Sequence, residues 1–489
     1  MNPPQTRSNQ AQPLLEKCPT GIAGLDELTK GGLPRDRTTL LAGGPGCGKT
    51  VLGMEFLFKG ITENNEPGVF FSFEEDAENL KVNLASMGMD LASHIHNGHL
   101  LIDHVDVSHH QLIETGDFSL DPLFLRLEHA INKTRARRVV IDTIESIFSV
   151  LNNTHRLRSE MKRLFSWLHE KHVTAIITGE QGIHTLTRQG LEEYVSDCVI
   201  LLDHRVVDQI SKRRLRILKY RGSSHISDEC PFLITSHGVR VLPVTSLKLE
   251  HSALKEYVST GIPDLDKMMD TGGFIRASSI LVSGTSGTGK SSFSASFANS
   301  ACSRGEKCLY FSFEESMEQI CRNMESIGLK MRPFIEKGML HVFSERTSSL
   351  GLEEHLSKIL HQVERIHPKV IIIDPISNFL AIGKEIEIKS MLTRLIDYLK
   401  QKEITGFFTN LADPDVSTEQ TNAAISSIMD TWLILRDYFH ENQKRRLFYL
   451  LKSRGMNHSL KIKELVMADR GMSLKDPVFP ITHAGQITI

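Results

Sequence analysis

The chain has 489 residues, of which 40% are hydrophobic and 24% charged, with a formal net charge of -2. That length exceeds one ordinary core, so two or three domains are expected. The near-neutral balance excludes a global electrostatic footprint for nucleic acid and leaves only a local basic patch open.

Residues 1–14 are rich in Pro, Gln and Asn and read as a flexible tail without the apolar stretch of a signal peptide. No run approaches the ~18 apolar residues of a membrane span, so a cytoplasmic protein is expected. From residue 15 onward, apolar runs alternate with helical patterns. Strands are predicted at 38–42, 68–73, 100–105, 138–142, 174–178 and 198–202. Between the fourth and fifth, Leu157, Met161, Leu164, Phe165 and Leu168 recur at helical spacing and predict a helix over 155–172. Continuously apolar strands alternating with helices imply a mainly parallel sheet covered on both faces. Residues 215–243 carry adjacent strand patterns with turn signals and predict antiparallel strands extending that sheet.

The pattern then repeats. TGIAGLDELTKGGLPRDRTTLLAGGPGCGKT at 20–50 is matched by TGIPDLDKMMDTGGFIRASSILVSGTSGTGKS at 260–291. FFSFEE at 70–75 pairs with YFSFEE at 310–315, and RRVVIDTIES at 137–146 with PKVIIIDPIS at 368–377. KYRGSSH at 219–225 pairs with KSRGMNH at 452–458. Four blocks in one order indicate a duplicated domain. The domains are expected at 15–247 and 259–480, with a linker at 248–258 and a short tail at 481–489. The linker is not Gly/Ser-rich, which suggests closely stacked copies. Seven cysteines are scattered without a C-x-x-C pair, which fits reduced thiols and excludes a disulfide framework or zinc site as the first reading.

Gly43, Gly44, Gly46, Cys47, Gly48, Lys49 and Thr50 lie in one G-x-x-x-x-G-K-[ST] loop. Gly284, Thr285, Ser286, Gly287, Thr288, Gly289, Lys290 and Ser291 form the other. Such glycines let backbone N–H groups face phosphate oxygens at a helix N-terminus. Lys49 and Lys290 would reach the β/γ-phosphates of ATP. Thr50 and Ser291 would ligate Mg²⁺ together with Asp142 and Asp374, which end the apolar runs VVID and IIID. Cys47 is read as a small loop residue. Glu74 and Glu75, and Glu314 and Glu315, follow the second strand of each copy, at the sheet edge where ligands of open α/β sheets bind. A carboxylate there can orient or deprotonate an attacking oxygen, and adjacent carboxylates raise each other's pKa. The bland alternative is a solvated acidic turn; its recurrence in both copies favours a catalytic role.

Lys219, Arg221 and His225, and Lys452, Arg454 and His458, end a strand on the far side of each copy. They read equally as a solvated basic edge or as a finger reaching the γ-phosphate on a neighbouring subunit.

The double P-loop, both FEE motifs, the EEYVSD block at 192–197 and the K-x-R-G-x-x-H strands together resemble the KaiC family over roughly residues 17–475. The fold implied is two tandem RecA-like P-loop α/β domains, each a mainly parallel β-sheet flanked by helices. The resemblance implies a homohexamer of two stacked rings with ATP between subunits, slow hydrolysis in the first ring, and autophosphorylation and dephosphorylation in the second. It also implies a KaiB-like partner on the first ring. Family members accept phosphate at adjacent hydroxyl residues just before a strand of the second copy. Aligning Asp197 with Asp430 sets Ser426 and Ser427 opposite Glu193 and Tyr194, so only the second copy offers small hydroxyl acceptors. By residue type alone these are ordinary strand-edge serines; the resemblance makes them phosphosites.

Three departures stand out. Ser427 occupies a position where the family has Thr. Ala381 stands where an arginine is expected after the second Asp-terminated strand. The chain ends at Ile489, short of the long segment by which KaiC engages KaiA, so a KaiA partner is not expected. Two other readings compete: a DNA-dependent RecA-like ATPase, and a scaffold that uses ATP only to assemble. The first lacks a basic DNA-facing loop, and the retained glutamate pairs argue against the second.

Overall fold

The computed structural model describes residues 15–105, 120–148, 154–182, 196–207, 210–243, 254–412, 425–440, 443–468 and 471–477. The chain divides into two compact units, Met1–Ser246 and Leu247–Ile489.

In the first unit the chain runs β1 (Thr38–Gly43), α1 (Lys49–Asn64), β2 (Gly68–Ser72), β3 (Leu100–His104), α2 (Asp121–Thr134), β4 (Arg138–Asp142), α3 (Thr154–Glu170) and β5 (Thr174–Glu180). It continues as β6 (Cys198–Val207), β7 (Ile210–Tyr220), β8 (Cys230–Thr235) and β9 (Gly238–Val241). They build a nine-stranded sheet in the order β9-β8-β7-β6-β1-β5-β4-β2-β3. Pairing is parallel from β6 through β3 and antiparallel from β6 to β9.

Side chains alternate between the two faces of the strands. Phe70, Val140 and Ile176 join Phe56 and Leu57 of α1 on one face. Val69, Phe71, Val139, Ile141 and Ile177 meet Leu127 of α2 and Met161, Leu164 and Leu168 of α3 on the other. Burying each such side chain contributes about 1.5–3 kcal/mol, so the apolar stripe of α3 is sufficient reason for its docking despite its polar remainder. Predicted and observed strands agree to within two residues except at β6, which continues through polar residues to Val207. Its extension is held by cross-strand pairing with β7, Leu202↔Leu215 through Val207↔Ile210, and not by burial.

The second unit repeats this plan. It comprises β10 (Ser279–Gly284), α4 (Lys290–Ser303), β11 (Cys308–Ser312), β12 (Leu340–Ser344), α5 (Leu352–Ile366), β13 (Val370–Asp374), α6 (Glu385–Gln401) and β14 (Thr405–Leu411). Then follow β15 (Thr431–His440), β16 (Gln443–Ser453), β17 (Lys463–Ala468) and β18 (Gly471–Lys475). The sheet order is β12-β11-β13-β14-β10-β15-β16-β17-β18. Even the irregularity recurs: the ladder shifts between Val199 and Ile200 in one copy and between Trp432 and Leu433 in the other.

Candidate active site

Each phosphate loop joins a central buried strand to a helix. Gly46 and Gly48 take φ of 69° and 106°, and Gly287 and Gly289 take 80° and 97°. These left-handed conformations favour glycine. They turn the chain sharply into α1 and α4, whose N-caps carry no side-chain hydrogen bond, so the first-turn N–H groups remain available to an anion. Above Gly44 and Gly46 there is open space, with no atom within 4 Å of a would-be Cβ. Lys49 and Lys290 are buried. Lys49 Nζ donates to the carbonyls of Gly43 (2.9 Å) and Gly44 (3.1 Å). Lys290 Nζ donates to those of Gly284 (2.8 Å) and Thr285 (2.8 Å), and burial lowers its pKa. Thr288 closes the second loop by donating to Thr285 O at 2.9 Å, and Ser286 is exposed. The Cys47 thiol is buried, and burial pushes its pKa up, which disfavours the thiolate.

The register Ser72↔Asp142 and Gly43↔Glu180 brings the strand ends to one edge. There Thr50 Oγ1 donates to Asp142 Oδ2 at 2.8 Å, and Thr178 donates to Oδ1. Burial raises the Asp142 pKa. In the second unit Thr409 donates to Asp374 Oδ1, but Oδ2 accepts from Tyr310 at 2.6 Å instead of from Ser291. Thr178, Thr409 and Tyr310 escaped the sequence reading. The two threonines were visible as a matched residue in ITGE and FTNL, and Tyr310 as the one change between FFSFEE and YFSFEE.

The glutamate pairs divide in the same way in both units. Glu75 and Glu315 are half-buried and are bonded by Asn83 (3.2 Å) and Asn323 (2.9 Å) from the next helix. Glu74 and Glu314 are exposed, and Glu74 accepts from Thr143 at 3.1 Å, one residue beyond Asp142. The Glu315 carboxyl is pushed up chiefly by burial, then by Asp374, and only to a lesser degree by Glu314. Adjacency within the pair is thus the weaker cause. A cavity of about 220 Å³ opens beside Glu314 and Glu315 and is also lined by Glu345 and Arg346.

The basic residues lie elsewhere. Asp197 N bonds Thr38 O and Asp430 N bonds Ser279 O, at the start of each P-loop strand. Arg221 N and Arg454 N in turn bond the carbonyls of Asp197 and Asp430, both at 2.8 Å. The two K-x-R strands therefore end at the edge opposite the phosphate loops. Lys219 is half-buried, and His225 stacks on Tyr220 with centroids 6.2 Å apart. Lys452 Nζ donates to Ser426 O (2.9 Å) and Met429 O (2.8 Å), Arg454 donates to Ser427 O (3.0 Å), and the backbone of His458 forms an isolated antiparallel bridge with that of Met269. Ser426 and Ser427 sit in a 3-10 turn, Ile425–Ser427, with Ser427 exposed. Glu193 and Tyr194, and the tails, lie outside the described residues.

The family described as "ATPase: KaiC" matches residues 18–246 and 258–478, one block in each unit. The chain belongs to the KaiC ATPase family. It is 48% identical over 471 residues to the circadian clock protein KaiC2 of Synechocystis sp., covering 96% of this chain and 83% of that one. It is 35% identical to the circadian clock oscillator protein KaiC of Synechococcus elongatus, covering 96% and 91%. The KaiC of Parathermosynechococcus lividus is also 35% identical, covering 94% and 86%. Membership makes it a KaiC-like, ATP-binding clock-family ATPase with two RecA-like domains. Among the described residues no helix is long and apolar enough to cross a membrane.

Proposed function

We propose that the chain is a cytoplasmic, self-associating ATPase whose first domain hydrolyses ATP and whose second transfers phosphate to its own Ser426 and Ser427. The observation that carries this reading is the position of those serines. They precede Asp430, which pairs with the first residue of β10, whereas the phosphate loop leaves the last residue of that strand. At ~3.3 Å per residue the strand alone separates them by about 16 Å. A serine cannot bridge that span to its own subunit's nucleotide, so the phosphoryl group comes from the nucleotide held by a neighbouring subunit. Lys219, Arg221, Lys452 and Arg454 are as far from their own phosphate loop, and in this reading they serve a neighbour's phosphates. A closed ring supplies both contacts at every subunit, and the family resemblance favours six. A KaiB-like protein on the first ring remains part of this reading.

Thr50 with Asp142, and Ser291 with Asp374, fit Mg²⁺. The set is hydroxyl and carboxylate oxygen, and among the described residues no cluster of three or more His, Cys, Asp or Glu competes for a softer ion. The metal would neutralise charge building on the phosphate oxygens. Lys49 and Lys290 would bind the β/γ-phosphates. Glu74 orients water in the first domain. In the second, Glu314 takes the serine proton as the serine oxygen bonds the γ-phosphorus and the β–γ bridging bond breaks to release ADP. Glu75 and Glu315, tied to their asparagines, hold the turn that aims the other glutamate.

Intact-mass spectrometry after incubation with Mg-ATP, with peptide mapping, tests the reading. One or two added phosphates on Ser426 or Ser427 are expected, none in the Ser426→Ala/Ser427→Ala variant, and at least a hundredfold slower addition in Glu314→Gln. Phosphate retained by the double variant would refute the acceptors; an undiminished rate in Glu314→Gln would refute the base.

A further inference from the structure

The duplicated domains treat their buried aspartates differently. In the first unit Asp142 Oδ2 is bonded by Thr50, itself a metal-ligand candidate. On β2 the residue matched to Tyr310 in the repeat is Phe70, which has no side-chain donor and is fully buried. In the second unit Tyr310 stands at the matched position, is also fully buried, and donates to Asp374 Oδ2 at 2.6 Å. A second replacement accompanies the first. Gly53 of α1, whose Cβ would touch Val140 at 3.0 Å, is matched by Ser294 of α4, which bonds Lys290 O at 3.1 Å and stands beside the tyrosine oxygen. Thr178 and Thr409 hold the other carboxylate oxygen alike in both units.

The two arrangements have different consequences for a cation. In the first unit Asp142 Oδ2 is held by a hydroxyl of the ligand set itself: Thr50 can keep donating its proton while its oxygen lone pairs meet a cation, and no described donor outside that set holds this oxygen. In the second, Tyr310 supplies the donor from outside the ligand set. Asp374 is held in place without drawing on Ser291, whose hydroxyl forms no described bond to it. A partner that orients a ligand from behind raises metal affinity, and its removal typically costs about ten- to a hundredfold.

We propose that Tyr310 is a positioning residue that pre-sets the second domain's divalent-cation site, so that the second domain binds its cation more tightly than the first. The inference rests on the reading of Ser291 and Asp374 as that site. Phe70 shows that phenylalanine packs at the matched position in the sister domain, so Tyr310→Phe removes only the hydroxyl, with its bonds to Asp374 and Ser294, and leaves the ring in the core.

The test uses the full chain saturated with a non-hydrolysable ATP analogue. Free Mn²⁺ is followed by electron paramagnetic resonance during titration. Two classes of site per chain are expected, and Asp374→Asn should remove the tighter one. Tyr310→Phe should weaken that class by about tenfold, towards the first-domain value, while nucleotide affinity in EDTA stays as in the wild type. A loss confined to the metal step is what a merely structural role would not produce. Unchanged or tighter Mn²⁺ binding in Tyr310→Phe overturns the proposal. If Asp374→Asn leaves both classes in place, the underlying assignment of the metal site fails, and that result is distinct from the first.

Discussion

A buried carboxylate in α1 carries a pH dependence unconnected with catalysis. Glu55 is 2% exposed, accepts from Val239 N at 2.6 Å, and lies where a Cβ on Gly238 would be 2.6 Å from its Oε1. Burial pushes its pKa from 4.5 up to about 7. The folded chain thus keeps a proton that the unfolded chain gives up near pH 4.5. The stabilisation is complete below about pH 4.5 and is lost as pH rises through about 7, amounting to at most about 3 kcal/mol. Glu55→Gln keeps an acceptor for Val239 and carries no charge. Its first-domain melting temperature is expected to exceed that of the wild type at pH 8 and to approach it at pH 5; equal pH slopes in thermal melts would contradict this. The matched residue is Ser296, so the second domain lacks this particular dependence. Neither the proton nor its cause was legible in the sequence, where Glu55 reads as one polar residue among several on a helix.

At the scale of elements, the strand–glycine loop–helix unit is the part most sensitive to backbone geometry. Gly289 takes φ of 97°, and a Cβ there would lie 1.9 Å from Met467 Cε on β17. Gly48 takes 106°, with Ile234 Cδ1 of β8 at 2.6 Å. Each loop is therefore pinned from the antiparallel extension of its own sheet. Gly289→Ala is expected to cost about 1–3 kcal/mol from backbone strain and crowding together. It should also weaken binding of a fluorescent ATP analogue at the second site at least tenfold. Wild-type affinity with a wild-type melt would show that the loop tolerates a side chain. The need for glycine was legible from the motif. Its contact with β17 was not, because that strand lies over 170 residues away in sequence and meets the loop only through tertiary packing.

For the whole molecule, two similar sites in one chain allow their tasks to be separated. Lys49→Ala is expected to remove most steady-state hydrolysis, by about a hundredfold at the first site, if Lys49 neutralises β/γ charge as proposed. Lys290→Ala is expected to abolish phosphate incorporation at Ser426 and Ser427 and to leave most hydrolysis in place. Phosphate release and mass spectrometry on the same samples distinguish the two. Equal losses of both activities in both variants would refute the division. Transfer between subunits also requires incorporation to vanish when size-exclusion chromatography shows only monomer.

The sequence by itself determined the duplication, the fold class, the two G-x-x-x-x-G-K-[ST] loops and the aspartates that end the neighbouring strands. These are written in local patterns: strict spacing around glycine, apolar runs of strand length, and a helical period of buried side chains. The register that sets Ser426 and Ser427 opposite Glu193 and Tyr194 was also available from the repeat alone. Tertiary structure decided the rest. It divided each glutamate pair into an exposed member and one tied to asparagine, and it set the serines and the basic strands at the end of the sheet away from the phosphate loop. It also gave Asp374 a tyrosine donor where Asp142 has a threonine. Each of these depends on which side chains meet across strands far apart in the chain, and on which of them are shut away from water. Local spacing does not encode such distances, so two copies with the same motifs still build chemically different sites.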